Sequence, residues 1–283
     1  MKWQGRRESE NVEDRRGIGG KQIAAGGGGL ALIILIIGFL MGGDPQKLLS
    51  DFQQSSQQTQ TTTSTGEIEE SAEEKAMSSF MKVTLADNER IWDSIFTANQ
   101  MQYQKPVLVL FRNLTNSPCG DATSQSGPFY CPGDQKIYID MSFFDELTSR
   151  LGAHGDFASA YVLSHEVAHH IQYLLGTTRK IQGMQQQSEK KEANRLSVAL
   201  ELQADFYAGV WAHYNHQMLE DGDIEEALSA ANAVGDDRLQ KQAQGYVVPD
   251  AFTHGTSEQR MYWFKLGYET GDMSKGNTFK GVL

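Results

Sequence analysis

The chain has 283 residues, 39 % of them hydrophobic and 22 % charged, with a formal net charge of −11. That length holds one substantial domain with a tail, or two small domains, and the composition supports a packed core. An acidic chain without a basic block in its body suits a phosphate backbone badly, which argues against nucleic acid as a partner.

Residues 1–22 are polar and carry Lys2, Arg6, Arg7, Arg15, Arg16 and Lys21. Residues 23–43, IAAGGGGLALIILIIGFLMGG, contain no charge. As a helix this stretch measures about 31 Å, close to the hydrocarbon thickness of a bilayer, and it reads as a transmembrane anchor. Its densest apolar part is short, so a signal-peptide core competes with that reading, although no small-residue cleavage pattern follows. A buried core helix is the third reading, and four consecutive glycines at 26–29 speak against it. The cations before the span place residues 1–22 in the cytoplasm and the body outside, as a single-pass protein of the cytoplasmic (inner) membrane with a periplasmic domain.

Residues 44–76 are dominated by Gln, Ser, Thr and Glu, with little to bury, and read as a flexible tether. A folded domain then spans 77–283. Ile91, Trp92, Ile95 and Phe96 share one face of a helix expected at 86–99, with Asp87 as its cap. PVLVLF at 106–111 reads as a buried strand and KIYID at 136–140 as a second one. Between them lies a loop holding the two cysteines, Cys119 and Cys131. Export would put them in an oxidising compartment and favour a disulfide, worth about 3 kcal/mol in the chain-entropy model; otherwise they are two unrelated thiols.

Asp156 can cap a helix that runs to residue 175, where Gly176 ends it; Ala160, Leu163, Val167, Ile171 and Leu174 form its core face. A polar loop leads to a long helix at 188–219 with the stripe Leu196, Leu200, Ala204, Tyr207, Trp211 and Tyr214. A helix with Asp223 as its cap and Gly235 as its stop follows, and Thr256 with Gln259 forms a capping box for a last one. The elements predict an α+β fold, mostly helical, with a small sheet.

The chemistry concentrates in SHEVAHHIQ, residues 164–172, in a chain with seven histidines. His165, Glu166 and His169 form H-E-x-x-H on a helix. Four residues at helical pitch bring the two imidazoles within about 40° of each other, so both face one ion. Glu166 lies about 100° away, beside the ion rather than on it, where it can take a proton from water. Two imidazoles with an oxygen donor suit a single Zn2+ with one position open. His170 lies about 140° from His165 and is set aside as structural. Gln172 and Leu175 stand where a metzincin would have glycine and histidine, so the third ligand lies elsewhere. ELQAD supplies it: Glu201 and Asp205 are one turn apart, flanked by Leu200, Leu202, Ala204 and Phe206. Glu201 is the candidate ligand and Asp205 the acceptor that orients a ligand histidine. The competing reading of these acids is a solvated helix face.

H-E-x-x-H followed by E-x-x-x-D resembles the gluzincin class of zinc peptidases. The stretches MKWQGRRESENVEDRRG, GPFYCPGDQKIYID, SHEVAHHIQ, LELQADFYAGVWAH and THGTSEQRMYWFKLGYETGD resemble a narrower group, the bacterial membrane-anchored putative neutral zinc metallopeptidases. They span nearly the whole chain outside the tether. Phe206 departs from that pattern, where many relatives are expected to carry cysteine, and leaves the ligand set untouched. The resemblance implies a zincin-like fold and a peptide or protein substrate. It implies that KIYID lines the cleft and pairs with extended substrate. It also implies a donor to the transition state, for which His254 is the candidate and Arg260 and Tyr246 are alternatives. His154, His213 and His216 read as surface or core residues. The rival function is a membrane-tethered interaction module in which zinc is only structural; Glu166 separates the two, because a structural site does not need it.

Overall fold

The computed structural model describes residues 1–17, 70–123, 126–280 and 282. The apolar stretch at 23–43 and the tether up to residue 69 lie outside the described residues. Among the described residues no helix is long and apolar enough to cross a membrane.

The first helix, α1 (Ala72–Ala98), starts well before the residues at which its apolar face becomes visible in the sequence. The Ser71 hydroxyl accepts the Glu74 N–H, and Glu73 and Glu74 sit in the first turn, where the helix dipole favours acids. Asp87 is therefore not a cap. It is buried in mid-helix and takes the Arg6 guanidinium on both carboxylate oxygens. The polar residues Ser78, Thr84, Asn88 and Glu89 of α1 are buried as well.

They are covered partly by the N-terminal segment, whose residues 1–16 pack against the body. Strand β1 (Val12–Asp14) lies parallel to β2 (Val107–Phe111), with Val12 opposite Leu108. The Ser9 hydroxyl and the Asn11 amide both donate to Glu89 Oε1 at 2.6 Å. Arg16 pairs with Asp14 and Glu70. The Met1 amino group lies 2.9 Å from Asp156 and 3.1 Å from Asp223 and from Glu220. Arg6 and Arg16, counted above as topogenic cations, are thus engaged by acids of the folded body.

The main sheet has the order β1-β2-β6-β5. β2 and β6 (Lys136–Asp140) are parallel, and β5 (Phe129–Cys131) runs antiparallel to β6. The KIYID strand is therefore interior, paired on both sides, and β5 takes the edge expected of it. The hairpin β3 (Leu114–Ser117) and β4 (Gly120–Thr123) forms a separate two-stranded sheet. Val109, Phe111, Ala122, Cys131 and Tyr138 form a small core of their own. Cys119 and Cys131 are joined as a disulfide.

A short helix α2 (Ser142–Ser149) leads to α3 (Asp156–Leu174), which carries H-E-x-x-H. Asp156 is the first residue of α3 rather than its cap. Gly155, at φ 96°, fills that position, and Glu226 from a neighbouring helix accepts the Phe157 N–H at 3.0 Å. Gly176, at φ 75°, ends α3 as its sequence position suggested. The expected polar loop contains a further helix, α4 (Thr177–Gln185). α5 (Lys190–Tyr214) is shorter at both ends than its periodicity implied. α6 (Asp223–Ala233), α7 (Asp236–Gln244) and α8 (Ser257–Thr270) complete the helical layer; Asp223 is the first residue of α6 rather than its cap, a position held by Gly222. Both hydrogen bonds of the Thr256/Gln259 capping box are present on α8.

The main core is shared by α1, α3, α5, α6, α8 and one face of the sheet, with Trp92, Phe157, Trp211 and Phe264 among its largest buried side chains. Two glycines bring α5 and α8 into backbone contact. A Cβ on Gly209 would lie 2.0 Å from Phe264 O, and one on Gly267 would lie 2.0 Å from Phe206 O. This approach carries Arg260 of α8 to Asp205 of α5. The α+β, mostly helical reading therefore holds for the described residues.

Candidate metal centre and active site

α3 and α5 pack side by side, and their facing acids and imidazoles meet at the floor of a cleft of about 490 Å³. His165 Nε2 lies 3.1 Å from Glu201 Oε2, and His169 Nε2 lies 3.4 Å from Glu201 Oε1. One ligand atom from each of these residues falls within 4.8 Å of the others. Two nitrogen donors and one carboxylate, with the cleft on the open side, fit a zinc ion with three protein ligands. The i, i+4 spacing of the histidines and the placement of Glu201 are as the sequence predicted.

Each imidazole is oriented through its other nitrogen. His165 Nδ1 is 2.8 Å from Asp205 Oδ1. His169 Nδ1 is 2.9 Å from Gln172 Oε1, and the Gln172 amide donates onward to Leu200 O at 2.7 Å. With Nδ1–H donated to an oxygen on each ring, loss of the Nε2 protons would leave both Nε2 lone pairs for an ion. The glutamine that breaks the metzincin pattern thus holds the second histidine.

The electrostatics suit a cation. Burial penalises every charge here, yet Asp205 and Glu201 outweigh it and raise the His165 pKa to about 10. His169 is raised too, against burial, chiefly by Glu201. Burial pushes Glu201 up, but His169 and His165 hold it well below the carboxylate range. Asp205 is likewise opposed by burial and brought to about 2 by Arg260 and His165. Protons stand between these acids and imidazoles, and a metal ion would replace them.

Glu166 lines the cleft beside the two histidines and is 7 % exposed. His254 also lines the cleft. Its Nδ1 is 3.3 Å from Asp236 Oδ1, while Asp236 Oδ2 accepts the backbone N–H groups of Thr253, His254 and Gly255 at 2.7, 2.6 and 3.0 Å. The hydrogen bond to Asp236 raises the His254 pKa against burial. Asp236 escaped the sequence reading because it serves there as an ordinary acid in a helix's first turn. Tyr246, an alternative donor, is 62 % exposed and is not part of the cleft wall. Arg260 borders the cleft, but its guanidinium is bound to Asp205.

His170 points away from the centre. It is fully buried, with Nε2 2.6 Å from Gln104 O and Nδ1 3.0 Å from the Tyr130 hydroxyl. Burial, against the Gln104 carbonyl, lowers its pKa to about 4. A neutral His170 therefore ties edge strand β5, through Tyr130, to the active helix. His154 and His216 are exposed, and His213 bonds Tyr268 O at 2.7 Å.

A second cluster, Asp156, Asp223 and Glu226, also brings three possible ligand atoms within 4.8 Å. The Met1 ammonium already lies against two of these acids.

A helix-borne pair of imidazoles, a glutamate beside them and a carboxylate from a second helix, open to a cleft, form the kind of site a zinc peptidase uses. The family comparison agrees with this site: the model described as putative neutral zinc metallopeptidase matches residues 1–279, and the chain belongs to that family. The chain is 49 % identical over 285 residues to the uncharacterized protein YpfJ of Escherichia coli (strain K12), covering 99 % of each. It is 43 % identical over 193 residues to the uncharacterized protein Rv2575 of Mycobacterium tuberculosis (strain H37Rv), covering 64 % of each. No solved structure matches the chain. The family's metal is zinc, and the fitted donor set for it is His165, His169 and Glu201.

Proposed function

We propose that the cleft hydrolyses peptide bonds, with Glu166 as general base and His254 as the donor to the developing oxyanion. The observation that carries this reading is the position of Glu166, in the cleft wall beside the two histidines that converge on Glu201. His165, His169 and Glu201 would hold the zinc ion, which would supply Lewis acidity for the carbonyl and the attacking water. Glu166 takes the proton of that water and returns it to the leaving amine. His254, fixed at Nδ1 by Asp236, has Nε2 free to stabilise negative charge on the carbonyl oxygen. The outer edge of β5, unpaired among the described residues and with Phe129 and Tyr130 in the cleft wall, suits an extended peptide.

Replacing Glu166 with Gln tests this directly. Peptide cleavage falls about 10²–10⁴-fold while zinc content and melting temperature stay at wild-type values. An unchanged cleavage rate would remove the base assignment. A wild-type protein that binds zinc but cuts nothing in a broad peptide library would leave the structural-zinc module as the reading.

For localisation, the Cys119–Cys131 disulfide supports an oxidising compartment for the body. Pairing of β1 with β2 supports residues 1–16 lying on the same side of the membrane as that body, whatever the apolar stretch at 23–43 does. This proposal revises the single-pass arrangement. Labelling of a cysteine placed at Gln4 and a reporter fused after Leu283 should report one compartment, and opposite compartments would refute it.

A further inference from the structure

We propose that Arg260 is a positioning residue that sets His165 for metal binding by clamping Asp205, and not a donor to substrate. The inference rests on the reading of His165, His169 and Glu201 as a zinc centre.

Arg260 is 4 % exposed, in the first turn of α8. Its Nε donates to Asp205 Oδ2 at 2.8 Å and its Nη2 to Asp205 Oδ1 at 3.0 Å, a two-point fork. Nη2 also donates to the Tyr161 hydroxyl at 3.2 Å, and Nη1 to Val234 O at 3.2 Å. The planar cation therefore ties α8 to α5, to α3 and to the end of α6. Tyr161, one turn before His165 on α3, donates its hydroxyl to the same Asp205 Oδ1 at 2.6 Å. Asp205 is fully buried, and its orientation decides where His165 finds an acceptor for Nδ1–H.

Two physical consequences follow. A carboxylate held at both oxygens cannot rotate, so the His165 ring has one orientation and its Nε2 one direction. Charge is balanced as well. Glu166, Glu201 and Asp205 bring three negative charges around the centre, and Arg260 with a divalent ion neutralises them. Without Arg260, Asp205 becomes a buried anion without its cation. Lysine restores the charge but cannot form the fork.

The test uses the full chain with Arg260→Met, Arg260→Lys and Tyr161→Phe. Zinc affinity is measured by chelator competition, the Co2+-substituted centre by its visible spectrum, the metal-free protein by its melting temperature, and peptide cleavage by kcat and KM. We expect Arg260→Met to weaken zinc binding about 10–100-fold, to alter the Co2+ spectrum and to lower kcat with KM changed less than about threefold. Arg260→Lys and Tyr161→Phe fall between it and wild type, and if Arg260→Met does not fold these two decide the question. Lower kcat with zinc affinity and Co2+ spectrum unchanged would make Arg260 a donor and overturn the proposal. A lower melting temperature with an unchanged Co2+ spectrum and affinity would make it a structural ion pair, which also overturns it. A wild-type chain that binds no zinc defeats the zinc reading itself, a result separable from wild-type binding that is indifferent to Arg260.

Discussion

Two triads of ligand-type side chains sit along the same helix. At the start of α3, Asp156 meets Asp223 and Glu226; at its middle, His165 and His169 meet Glu201. Both triads gather their oxygen and nitrogen atoms within the same 4.8 Å, so proximity does not distinguish them. Chemistry does. The first triad is all carboxylate, receives the Met1 ammonium and gives one carboxylate oxygen to the Phe157 N–H. It is a capping device for the active helix. The second pairs imidazole nitrogen donors with one acid, has an oriented partner behind each imidazole, and opens to a cleft. The difference teaches that a metal site is recognised by what stands behind its ligands, not by their number.

The largest expected effect breaks the comparison at the middle triad. Glu201→Ala should reduce bound zinc from one ion per chain to none and abolish peptide cleavage, because two imidazoles alone hold zinc weakly. The same measurement on Glu226→Gln should still give one zinc per chain. Metal lost from both variants alike would mean that the two triads are not different in kind.

At the N-terminal triad the readout is stability. Asp223 is 3 % exposed, and it is one of three carboxylates that meet the Met1 ammonium. Asp223→Asn should cost about 1–3 kcal/mol in denaturant unfolding of the metal-free chain, with zinc stoichiometry unchanged. Asp156 and Glu220 remain to hold the ammonium, which keeps the loss at the lower end for a broken buried pair. An undiminished stability would show that the amino group does not depend on this acid.

The two triads also differ in how far the sequence revealed them. The middle one was readable residue by residue, because helical pitch alone brings His165 to His169, and E-x-x-x-D repeats the same geometry on α5. Its supports were less visible. Gln172 showed itself only as a departure from another family's pattern. Arg260 joins Asp205 across a backbone contact that depends on Gly209 and Gly267 meeting the opposite helix. That contact has no periodic signature. The N-terminal triad was hidden, since pairing residues 1–16 with α1 and β2 is a long-range event between polar surfaces. Arg6 with Asp87, and Ser9 and Asn11 with Glu89, leave no apolar stripe to be read. The first half of α1 was missed although Phe80, Met81, Val83 and Leu85 are buried there, because the buried Ser78 and Thr84 interrupt its apolar face. The edge assignment failed on register. KIYID has the alternation of a strand, but nothing in it says that the shorter FYC lies outside it.

The smallest effect sharpens the N-terminal triad by pH. Burial pulls the Met1 ammonium pKa down, and hydrogen bonds to Asp156, Glu220 and Asp223 overcome it, raising the value from 8.0 to about 10. Glu226 stands nearby and is itself influenced by the amino group. A folded-state pKa above the unfolded one means that the native state holds the proton more tightly between the two values. The contribution is therefore complete below pH 8 and is lost as pH rises through 10. A two-unit shift corresponds to about 2–3 kcal/mol, but Asp156 and Glu220 are partly exposed, and screening leaves on the order of 1 kcal/mol. Lysines and tyrosines elsewhere titrate in the same range, so the informative quantity is the stability gap between wild type and Asp223→Asn. That gap should be constant up to pH 8 and narrow toward pH 10, because deprotonating the amine removes what Asp223 was holding. Zinc affinity measured over the same interval carries no such dependence on Asp223. A gap that stays flat across the window would mean that Asp223 supports the helix without the ammonium, and the N-terminal triad would then need another cation to balance it.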